Sequence, residues 1–489
     1  MLKINPRTDG PVQACPHGTT PLHGHPNPNT QPMPPGQESQ PLAPGIRAPH
    51  GIWGLMLLAV LLVPPVTAQS LRVEQVSLDL TARDTTAKTI PITFEVSWED
   101  SWRDDESWDA VWLFAKFERA PGTWADLRFT PDGHEATGSP GAALTPAALP
   151  AGHANGLLLH RGEPGQGDLQ FTVRALWTYG ASYYDVPPAG VSVRVMGVEL
   201  VRVPGGPFEV GEGTVAERQP NSFQSGEGRT YRIASESEIA VGLDADALFY
   251  NVPEGEAYVG GDQAGPIPAS FPKGAAPFYV MKYPVTQGQY AAFLSLLPPR
   301  ARAARDVTTY PTYAEKSGTI SCNAGACEAA RPNRAANFLS WSDGIGWASW
   351  AGLRPMTEFE YEKAAAGTEV DSARYADGAL PDRIADVGRR SQWGAVDLRG
   401  GLWERVVSVG TAEGRQYRGT RGQGYVDDLG YPYGFINADW PGPRALGSGY
   451  RGGTEGLLAL SEVADRTYAA YEATYGNEGQ GFRAVLDAP

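Results

Sequence analysis

Few side chains in this chain are suited to redox or metal chemistry. Of its three cysteines, Cys15 lies near the amino terminus, whereas Cys322 and Cys327 form a C-x4-C pair. In an oxidising compartment two cysteines this close together more often form a loop-closing disulfide, although paired thiolates also suit soft metals. We therefore expect a Cys322–Cys327 disulfide, with a thiolate metal site as the alternative.

Histidine is absent from residues 161–489. This inventory excludes a histidine-ligated iron centre and a Ser-His-Asp triad from that part of the chain. His134, His153 and His160 lie in turn-rich sequence, and we expect His153 and His160 to be solvent-facing loop residues rather than ligands. Any chemistry after residue 160 must therefore use carboxylates, tyrosines, arginines or the cysteine pair.

The amino terminus and the overall charge restrict where the chain works and what it contacts. Residues 1–50 contain twelve prolines and are predicted to be a disordered leader. The apolar run IWGLMLLAVLLV is too short to span a bilayer but fits a signal peptide at residues 51–68, cleaved after Ala68. We expect a secreted, periplasmic or cell-surface protein with no transmembrane span after cleavage. A net charge of −15 argues against a nucleic-acid partner.

The mature chain divides by its sequence pattern into two parts. From residue 71 to residue 196, short runs alternate apolar and polar residues between turn signals, which predicts an antiparallel β-sandwich. A tryptophan-rich stretch, SWEDSWRDDESWDAVW, lies in this part and is expected in the core or against the second domain. Residues 198–487 carry Gly-rich irregular sequence with a few helices, so the fold class is α+β.

Local signals define the start of the second part. ELVRVPGGPFEVG predicts a strand pair around a Pro-Gly-Gly turn. Three capping boxes, at Thr286/Gln289, Ser340/Asp343 and Thr357/Glu360, predict three helices, of which the last should stop at Gly367.

Six collinear segments between residues 198 and 487 resemble the formylglycine-generating enzyme, or sulfatase-modifying factor, family. They are ELVRVPGGPFEVG, YPVTQGQYAAFL, LSWSDGIGWASWAGLRPMTEFEYEKAAAG, SQWGAVDLRGGLWE, GYRGGT and GQGFRAV. The resemblance implies a variant of the C-type lectin fold, and the tryptophan-rich stretch in front is similar to a secreted bacterial subgroup. Five residues of these motifs are expected to hold the fold together by core packing and hydrogen bonds: Arg354, Trp403, Arg451, Arg466 and Arg483.

The resemblance also implies metal sites, which this sequence only partly keeps. Family members that generate formylglycine hold copper with a C-x4-C pair located before the final G-F-R segment, but residues 454–480 contain no cysteine. No copper or iron site of the family type is therefore expected. Relatives bind a structural calcium around G-N-V-W-E; here Gly401 replaces the asparagine, whereas Glu404 and nearby Asp397 remain. These two carboxylates are the candidate calcium ligands, with a salt-bridge or capping role for Glu404 as the alternative.

The resemblance and the missing thiolates together favour a non-catalytic protein. In the lectin-like fold the carboxyl-terminal lobe carries the binding surface, and aromatic residues there suit a sugar or a peptide. The candidate surface comprises Tyr425, Trp440, Tyr450, Tyr468 and Tyr471. Self-assembly into a surface structure is a second non-catalytic possibility, and a metal-dependent oxidoreductase with an altered site is the alternative.

Overall fold

The computed structural model describes residues 70–181, 190–211, 222–250, 261–367, 380–387, 389–432, 437–454 and 462–489. The predicted leader and signal peptide lie outside these residues. Within them, no helix has both the length and the apolar character needed to traverse a bilayer.

Strands dominate the fold and helices are short. Among the residues described before position 204 there are nine strands: β1 Arg72–Leu78, β2 Thr89–Arg103, β3 Asp109–Ala120, β4 Thr123–Asp126, β5 Glu135–Gly138, β6 Ala142–Ala148, β7 Ala154–Arg161, β8 Gly165–Thr178 and β9 Val193–Val203. The later strands are β10 Phe208–Val210, β11 Gln224–Ser225, β12 Tyr231–Ile233, β13 Leu248–Phe249, β14 Phe278–Met281, β15 Ile320–Asn323, β16 Ala326–Ala329, β17 Arg354–Pro355, β18 Glu404–Val407, β19 Ser448–Arg451 and β20 Ala484–Asp487. The α-helices are α1 Gln287–Leu296, α2 Pro299–Arg305, α3 Trp341–Ala351 and α4 Glu358–Ala365.

Two large antiparallel sheets form the framework. One has the order β1-β2-β8-β5, and the other runs β17-β20-β14-β9-β3-β7-β6 with β4 paired to β3. Side chains from both sheets share one hydrophobic cluster, in which the alternating residues of β2 are at most 1% exposed. The α+β class is confirmed by these sheets and helices; the description of residues 71–196 as a sandwich stays a prediction.

One strand carries the chain from the first part to the second. β9 pairs with β3 along Val193–Val201 and with β14 along Leu200–Val203. The domain boundary predicted at residues 196–198 therefore falls inside a strand, and a single sheet contains elements of both parts.

β3 is buried on both faces over most of its length. Val111, Leu113 and Phe117 face the core shared with β2 and β8. Trp112 and Phe114 face the other way, into the core that contains α1 and α3. The run AVWLFAKF is accordingly apolar almost throughout, as expected for a strand covered on both sides.

Hydrogen bonds reinforce the contact between β3 and α3. The indole Nε1 of Trp112 donates to the carbonyl of Ala351 at 2.7 Å. The Lys116 ammonium donates to the carbonyl of Trp350 at 2.7 Å and pairs with Asp126 at 2.9 Å. Burial lowers the pKa of Lys116, and the Asp126 carboxylate opposes that shift. The tryptophan-rich stretch thus contributes to the core and to the contact with the later elements.

The three predicted helices are confirmed with their capping boxes. Thr286, Ser340 and Thr357 each cap a helix, and the third residue after each returns the second hydrogen bond. Gly367 follows α4 with φ of 75°, the left-handed conformation that the stop signal required.

The strand pair predicted around the Pro-Gly-Gly turn is wrong. β10 pairs with β12, not with β9. β9 already has β3 and β14 as neighbours. The turn therefore sends the chain away from the sheet instead of folding it back.

Candidate functional site

Four aromatic side chains gather where β18 and β19 lie side by side. Trp403, Tyr450, Tyr468 and Tyr471 form what we call the aromatic cluster. The Trp403 ring centroid lies 5.3 Å from that of Tyr468 and 6.1 Å from that of Tyr450, both edge-on. The pairing of Glu404 with Arg451 brings the two strands into register and places Trp403 next to Tyr450. Such tilted contacts are the preferred geometry of packed aromatic rings.

Arg405 packs against the Tyr450 ring of the aromatic cluster. Its guanidinium carbon lies 4.2 Å from the centre of the Tyr450 ring. It donates to the carbonyls of Ala473 at 2.8 Å and Tyr475 at 3.0 Å, so it holds the irregular segment that carries Tyr471. Burial raises the pKa of the Tyr450 phenol, and Arg405 opposes that rise. The Tyr450 hydroxyl is buried and has no hydrogen-bond partner among the described residues.

The outer edge of the cluster reaches solvent. The hydroxyls of Tyr471 and Tyr475 lie 3.3 Å apart, and Tyr475 is 51% exposed. Tyr468 and Tyr471 are half-buried. The cluster thus has a buried base at Tyr450 and an accessible rim at Tyr471 and Tyr475.

A cleft of about 320 Å³ is lined in part by Thr474, which belongs to the irregular segment that carries Tyr471 and Tyr475. We call it the polar cleft; its lining consists of Ala303, Ala304, Arg305, Asp306, Val307, Thr309, Tyr310, Ser340, Ser342, Asp343, Tyr431, Pro443 and Thr474. The Tyr310 hydroxyl accepts a hydrogen bond from the amide of Gly476 at 3.0 Å. Residues 471–476 therefore contribute both to the aromatic cluster and to the polar cleft.

The end of α2 and the start of α3 position the charged side chains of the polar cleft. Arg305 is the last residue of α2, and its guanidinium pairs with Asp343 in the first turn of α3 at 3.1 Å. The other carboxylate oxygen of Asp343 accepts from the amide of Ser340 at 2.9 Å and from its hydroxyl at 2.6 Å. The Arg305 guanidinium carbon also lies 4.7 Å from the centre of the Tyr431 ring. Burial raises the pKa of Asp343, while Arg305 opposes that rise.

The polar cleft was not predicted from the sequence. Asp343 was identified only as a capping residue, and Arg305 and Tyr431 were not singled out as site residues. Arg305 and Asp343 are 38 residues apart, and nothing in their local sequence indicates that the end of α2 approaches the start of α3. The one signal in the sequence was Asp343 itself, a carboxylate in the first turn of a helix whose other residues are mostly apolar.

The five residues predicted as a ligand surface do not lie together. Tyr450, Tyr468 and Tyr471 belong to the aromatic cluster, which Trp403 joins. Tyr425 instead lies near the first strands, with its ring 5.9 Å from the guanidinium of Arg128. Trp440 is 6% exposed, and its Nε1 donates to the carbonyl of Thr420 at 2.7 Å.

The arginines assigned to the fold motifs are buried and make several contacts each. Arg354 bonds Glu360 through two nitrogens, at 2.6 and 2.9 Å, and also reaches Asp487. Arg451 and Arg466 share Glu358. Arg483 pairs with Glu404 at 2.9 Å and donates to two carbonyls.

The two carboxylates proposed for calcium each have an arginine partner. Glu404 pairs with Arg483, and Asp397 pairs with Arg389 at 2.6 Å. One oxygen of Glu404 is buried without a hydrogen-bond partner in the described structure. Because both carboxylates are already bound to guanidinium groups, these side chains do not by themselves make the oxygen-rich cage that calcium needs. The salt bridge is the alternative that the sequence left open, and calcium stays a prediction.

Cys322 and Cys327 form the expected disulfide across the β15–β16 hairpin. The hairpin is held against α1 by Ser295, whose hydroxyl bonds both the amide and the carbonyl of Cys327. Among the described residues there is no group of three or more His, Cys, Asp or Glu side chains arranged to hold a metal ion.

Comparison with known proteins agrees with this architecture. Residues 246–487 match the sulfatase-modifying factor enzyme 1-like domain. This part of the chain belongs to the sulfatase-modifying factor family. The family resemblance is thereby confirmed, and five of the six segments lie within the matched residues.

A curated relative of the sulfatase-modifying-factor domain is the formylglycine-generating enzyme of Thermomonospora curvata. The two sequences are 30% identical over 173 residues, which is 29% of this chain and 54% of that enzyme. The chain thus spans about half the length of this relative.

Proposed function

We propose that this protein is exported and that its sulfatase-modifying-factor domain binds an extracellular ligand, a sugar or a peptide, without catalysing an oxidation. The observation that carries the proposal is the absence of cysteine from residues 454–480, where the family resemblance implies the copper-binding pair. Thiolates are the ligands that Cu(I) requires. Tyr468 and Tyr471 of the aromatic cluster come from this segment, and Tyr450 lies just before it.

The remaining cysteines do not favour a relocated copper site. Both sulfurs of Cys322 and Cys327 are joined to each other, and a disulfide offers no thiolate. The hairpin that carries them packs on α1 through Ser295 rather than on the aromatic cluster. The similarity to the Thermomonospora curvata enzyme favours a metal-dependent oxidoreductase with an altered site, but Cys322 and Cys327 offer no thiolates for it.

Copper-dependent oxidation is the activity to test first. The mature protein, expressed with its own export signal, is incubated with Cu(I) and a cysteine-containing peptide, and formylglycine is sought by mass spectrometry. The Thermomonospora curvata enzyme is the positive control. We expect no formylglycine from this protein. Product formation that disappears in a Cys322→Ser/Cys327→Ser variant would contradict the proposal and assign the reaction to that pair.

Elemental analysis of the same preparation tests the metal predictions. We expect neither copper nor iron at a stoichiometric level. Calcium at one equivalent, lost in Glu404→Gln together with a lower melting temperature in the presence of calcium, would support the calcium site; ion pairing alone predicts no calcium dependence.

Surface assembly is the other non-catalytic form of the proposal. Light scattering over a range of protein concentrations distinguishes a discrete particle from open-ended association. We expect a discrete particle for a ligand-binding protein, whereas growth of the particle with concentration would favour assembly into a surface structure.

A further inference from the structure

The polar cleft has dimensions suited to a small ligand. Its volume of about 320 Å³ lies at the lower end of the range typical of small-molecule sites. It is bounded by α2, the first turn of α3, and the segments that carry Tyr431 and Thr474. Two of these walls are helix ends that are pinned to each other by the Arg305–Asp343 ion pair, so the cleft is built before any ligand arrives.

The cleft is lined by both hydrogen-bond donors and hydrogen-bond acceptors. Arg305 supplies only donors, and the carboxylate of Asp306 supplies only acceptors. The hydroxyls of Tyr310 and Thr474 can do either. Those of Thr309, Ser340 and Ser342 already donate to the carbonyl of Asp306, the carboxylate of Asp343 and the carbonyl of Pro443, so they can offer a ligand only an acceptor. Most of the accessible lining is polar, so the cleft does not provide the apolar wall that a hydrophobic peptide side chain would need.

The charge of the cleft argues against an anion. Arg305 is already paired with Asp343, at 3.1 Å, and Asp306 adds a second carboxylate at the same helix end. The lining side chains therefore sum to a net charge of −1. The Asp306 carboxylate would repel a carboxylate or phosphate that entered the cleft.

Two tyrosines give the cleft rigid flat edges. Tyr431 is held by the stacked Arg305 guanidinium, and its backbone amide donates to Asp427 at 2.9 Å. Tyr310 is held by ring contact with Phe338 at 5.2 Å and by the Gly476 amide. Rigid aromatic edges beside many hydroxyl partners suit a ligand with both C–H faces and hydroxyl groups.

We propose that the polar cleft binds a neutral monosaccharide unit. This inference rests on the proposed ligand-binding function and assigns it a ligand class and a place. The sugar hydroxyls exchange hydrogen bonds with Arg305, Asp306 and the hydroxyl side chains, and the ring contacts Tyr431 or Tyr310. A longer glycan continues past Thr474 towards Tyr475 and the rim of the aromatic cluster.

Saturation-transfer NMR on the full mature protein tests this directly. The probes are the methyl glycosides of glucose, galactose and mannose, with N-acetylglucosamine; glucuronate, glucosamine and tetra-alanine represent an anion, a cation and a peptide. We expect saturation transfer to at least one neutral sugar and less to glucuronate. Binding of glucosamine or tetra-alanine without any neutral sugar would overturn the assignment.

A cleft-filling variant locates the binding. Thr474 is an exposed lining residue, so Thr474→Trp should occupy the cleft without removing a core contact. Thr312→Trp makes the same change at an exposed threonine outside the cleft and serves as the matched control. The neutral-sugar signal should vanish in Thr474→Trp and persist in Thr312→Trp. Persistence in both variants would remove the sugar from this cleft.

Asp306 controls the preference for a neutral ligand. Asp306→Asn keeps an oxygen for the amide and hydroxyl of Thr308, which Asp306 now binds at 3.0 and 2.7 Å. It should raise the affinity for glucuronate relative to the neutral sugar by about fivefold. An unchanged ratio would contradict the charge argument.

The outcomes separate this inference from the proposed function. Binding of a peptide, or of a sugar unaffected by Thr474→Trp, would leave a ligand-binding protein but overturn the cleft assignment. Copper-dependent formylglycine formation would overturn the non-catalytic function whatever the sugar result.

Discussion

The first nine strands and the later part of the chain satisfy their backbone polar groups in different ways. β2 and β8 form a long antiparallel ladder from Thr89–Thr178 to Arg103–Gly165. Beyond residue 204, the strands are two to four residues long and most of the backbone is irregular. Buried carbonyls in such backbone need partners from elsewhere.

Arginine side chains supply those partners in the later part. Arg483 donates to the carbonyls of Met281 at 2.7 Å and Val396 at 2.8 Å. Arg405 does the same for Ala473 and Tyr475. A guanidinium offers five donors in a rigid plane, so one side chain can bind several carbonyls that no strand reaches.

The comparison indicates that the two parts depend on different interactions. The core between β2, β3 and β8 is apolar, and trimming one methyl group there should have a limited cost. In the later part, four buried arginines are each paired with a carboxylate, so removing one partner leaves an uncompensated charge; they are Arg354, Arg451, Arg466 and Arg483.

Removal of the Glu358 carboxylate should have the largest effect. Glu358 binds Arg466 at 2.7 Å and Arg451 at 3.1 Å and also accepts from Ser408 and Val409. Burial alone would raise the pKa of Glu358, but Arg466 and Arg451 outweigh it and hold that pKa below its ordinary value. Glu358→Ala should lower the free energy of unfolding by about 3–5 kcal/mol, measured by denaturant titration.

The matched change in the first part is Ile92→Val, in the core of β2. It should cost about 0.5–1.5 kcal/mol. If Glu358→Ala cost no more than Ile92→Val, the later part would not depend on its buried ion pairs in the way the comparison states.

Trp112→Phe should rank second. The substitution keeps an aromatic ring in β3 but leaves the buried Ala351 carbonyl without the indole donor at 2.7 Å. We expect a loss of about 1–3 kcal/mol by thermal or chemical denaturation. Because β9 belongs to one sheet with both β3 and β14, unfolding should remain a single transition.

Trp124→Phe is the control, since Trp124 is half-buried on β4 at the edge of the same sheet. Two separate transitions in the Trp112 variant, or in the unaltered protein, would show that the shared sheet does not couple the two parts.

Local signals in the sequence predicted the elements that depend on local chemistry. The capping boxes at Thr286, Ser340 and Thr357 were sufficient because a cap is completed within four residues. The alternation in β2 was sufficient because one face is buried in a core and the other is less covered. Which strand edge is free to pair is a property of the whole sheet, and this is why the partner of β10 was predicted wrongly.

The candidate site was predictable only in part for the same reason. Tyr468 and Tyr471 are neighbours in sequence, so their proximity could be anticipated. Trp440 could not be placed, because irregular backbone has no period that assigns a residue to the core or the surface. The polar cleft depends on the approach of Arg305 to Asp343, which arises only from the packing of α2 against α3.

Loss of the disulfide should lower the stability of the protein less than Glu358→Ala or Trp112→Phe does. Cys322 and Cys327 close a loop of six residues within one hairpin. The loop-entropy relation gives about 2 kcal/mol as an upper figure, because the hairpin is already constrained by its backbone pairing. Cys322→Ser/Cys327→Ser should lower the melting temperature slightly, and a reducing agent should lower that of the unaltered protein equally. A loss larger than that of Glu358→Ala would mean that the hairpin organises more of the fold than its contacts with α1 indicate.

The smallest effect concerns alkaline pH and the buried phenol of Tyr250. Its hydroxyl donates to the carbonyls of Ala264 at 2.9 Å and Val409 at 3.1 Å, and burial raises its pKa from 10.0 to about 12. Below pH 10 the phenol is protonated in both states, so its contribution to stability is complete. Between about pH 10 and pH 12 the unfolded chain loses this proton before the folded chain does, so the free energy of unfolding must fall as pH rises.

Tyr250→Phe should therefore make the fall of the melting temperature between about pH 10 and pH 12 less steep. Tyr475→Phe is the matched control, because that ring is 51% exposed and should change the slope less. Equal slopes in the unaltered protein and in Tyr250→Phe would mean that the phenol near Arg466 titrates normally. The later part of the chain would then be more open to water around Tyr250 than a region held by buried arginines can be.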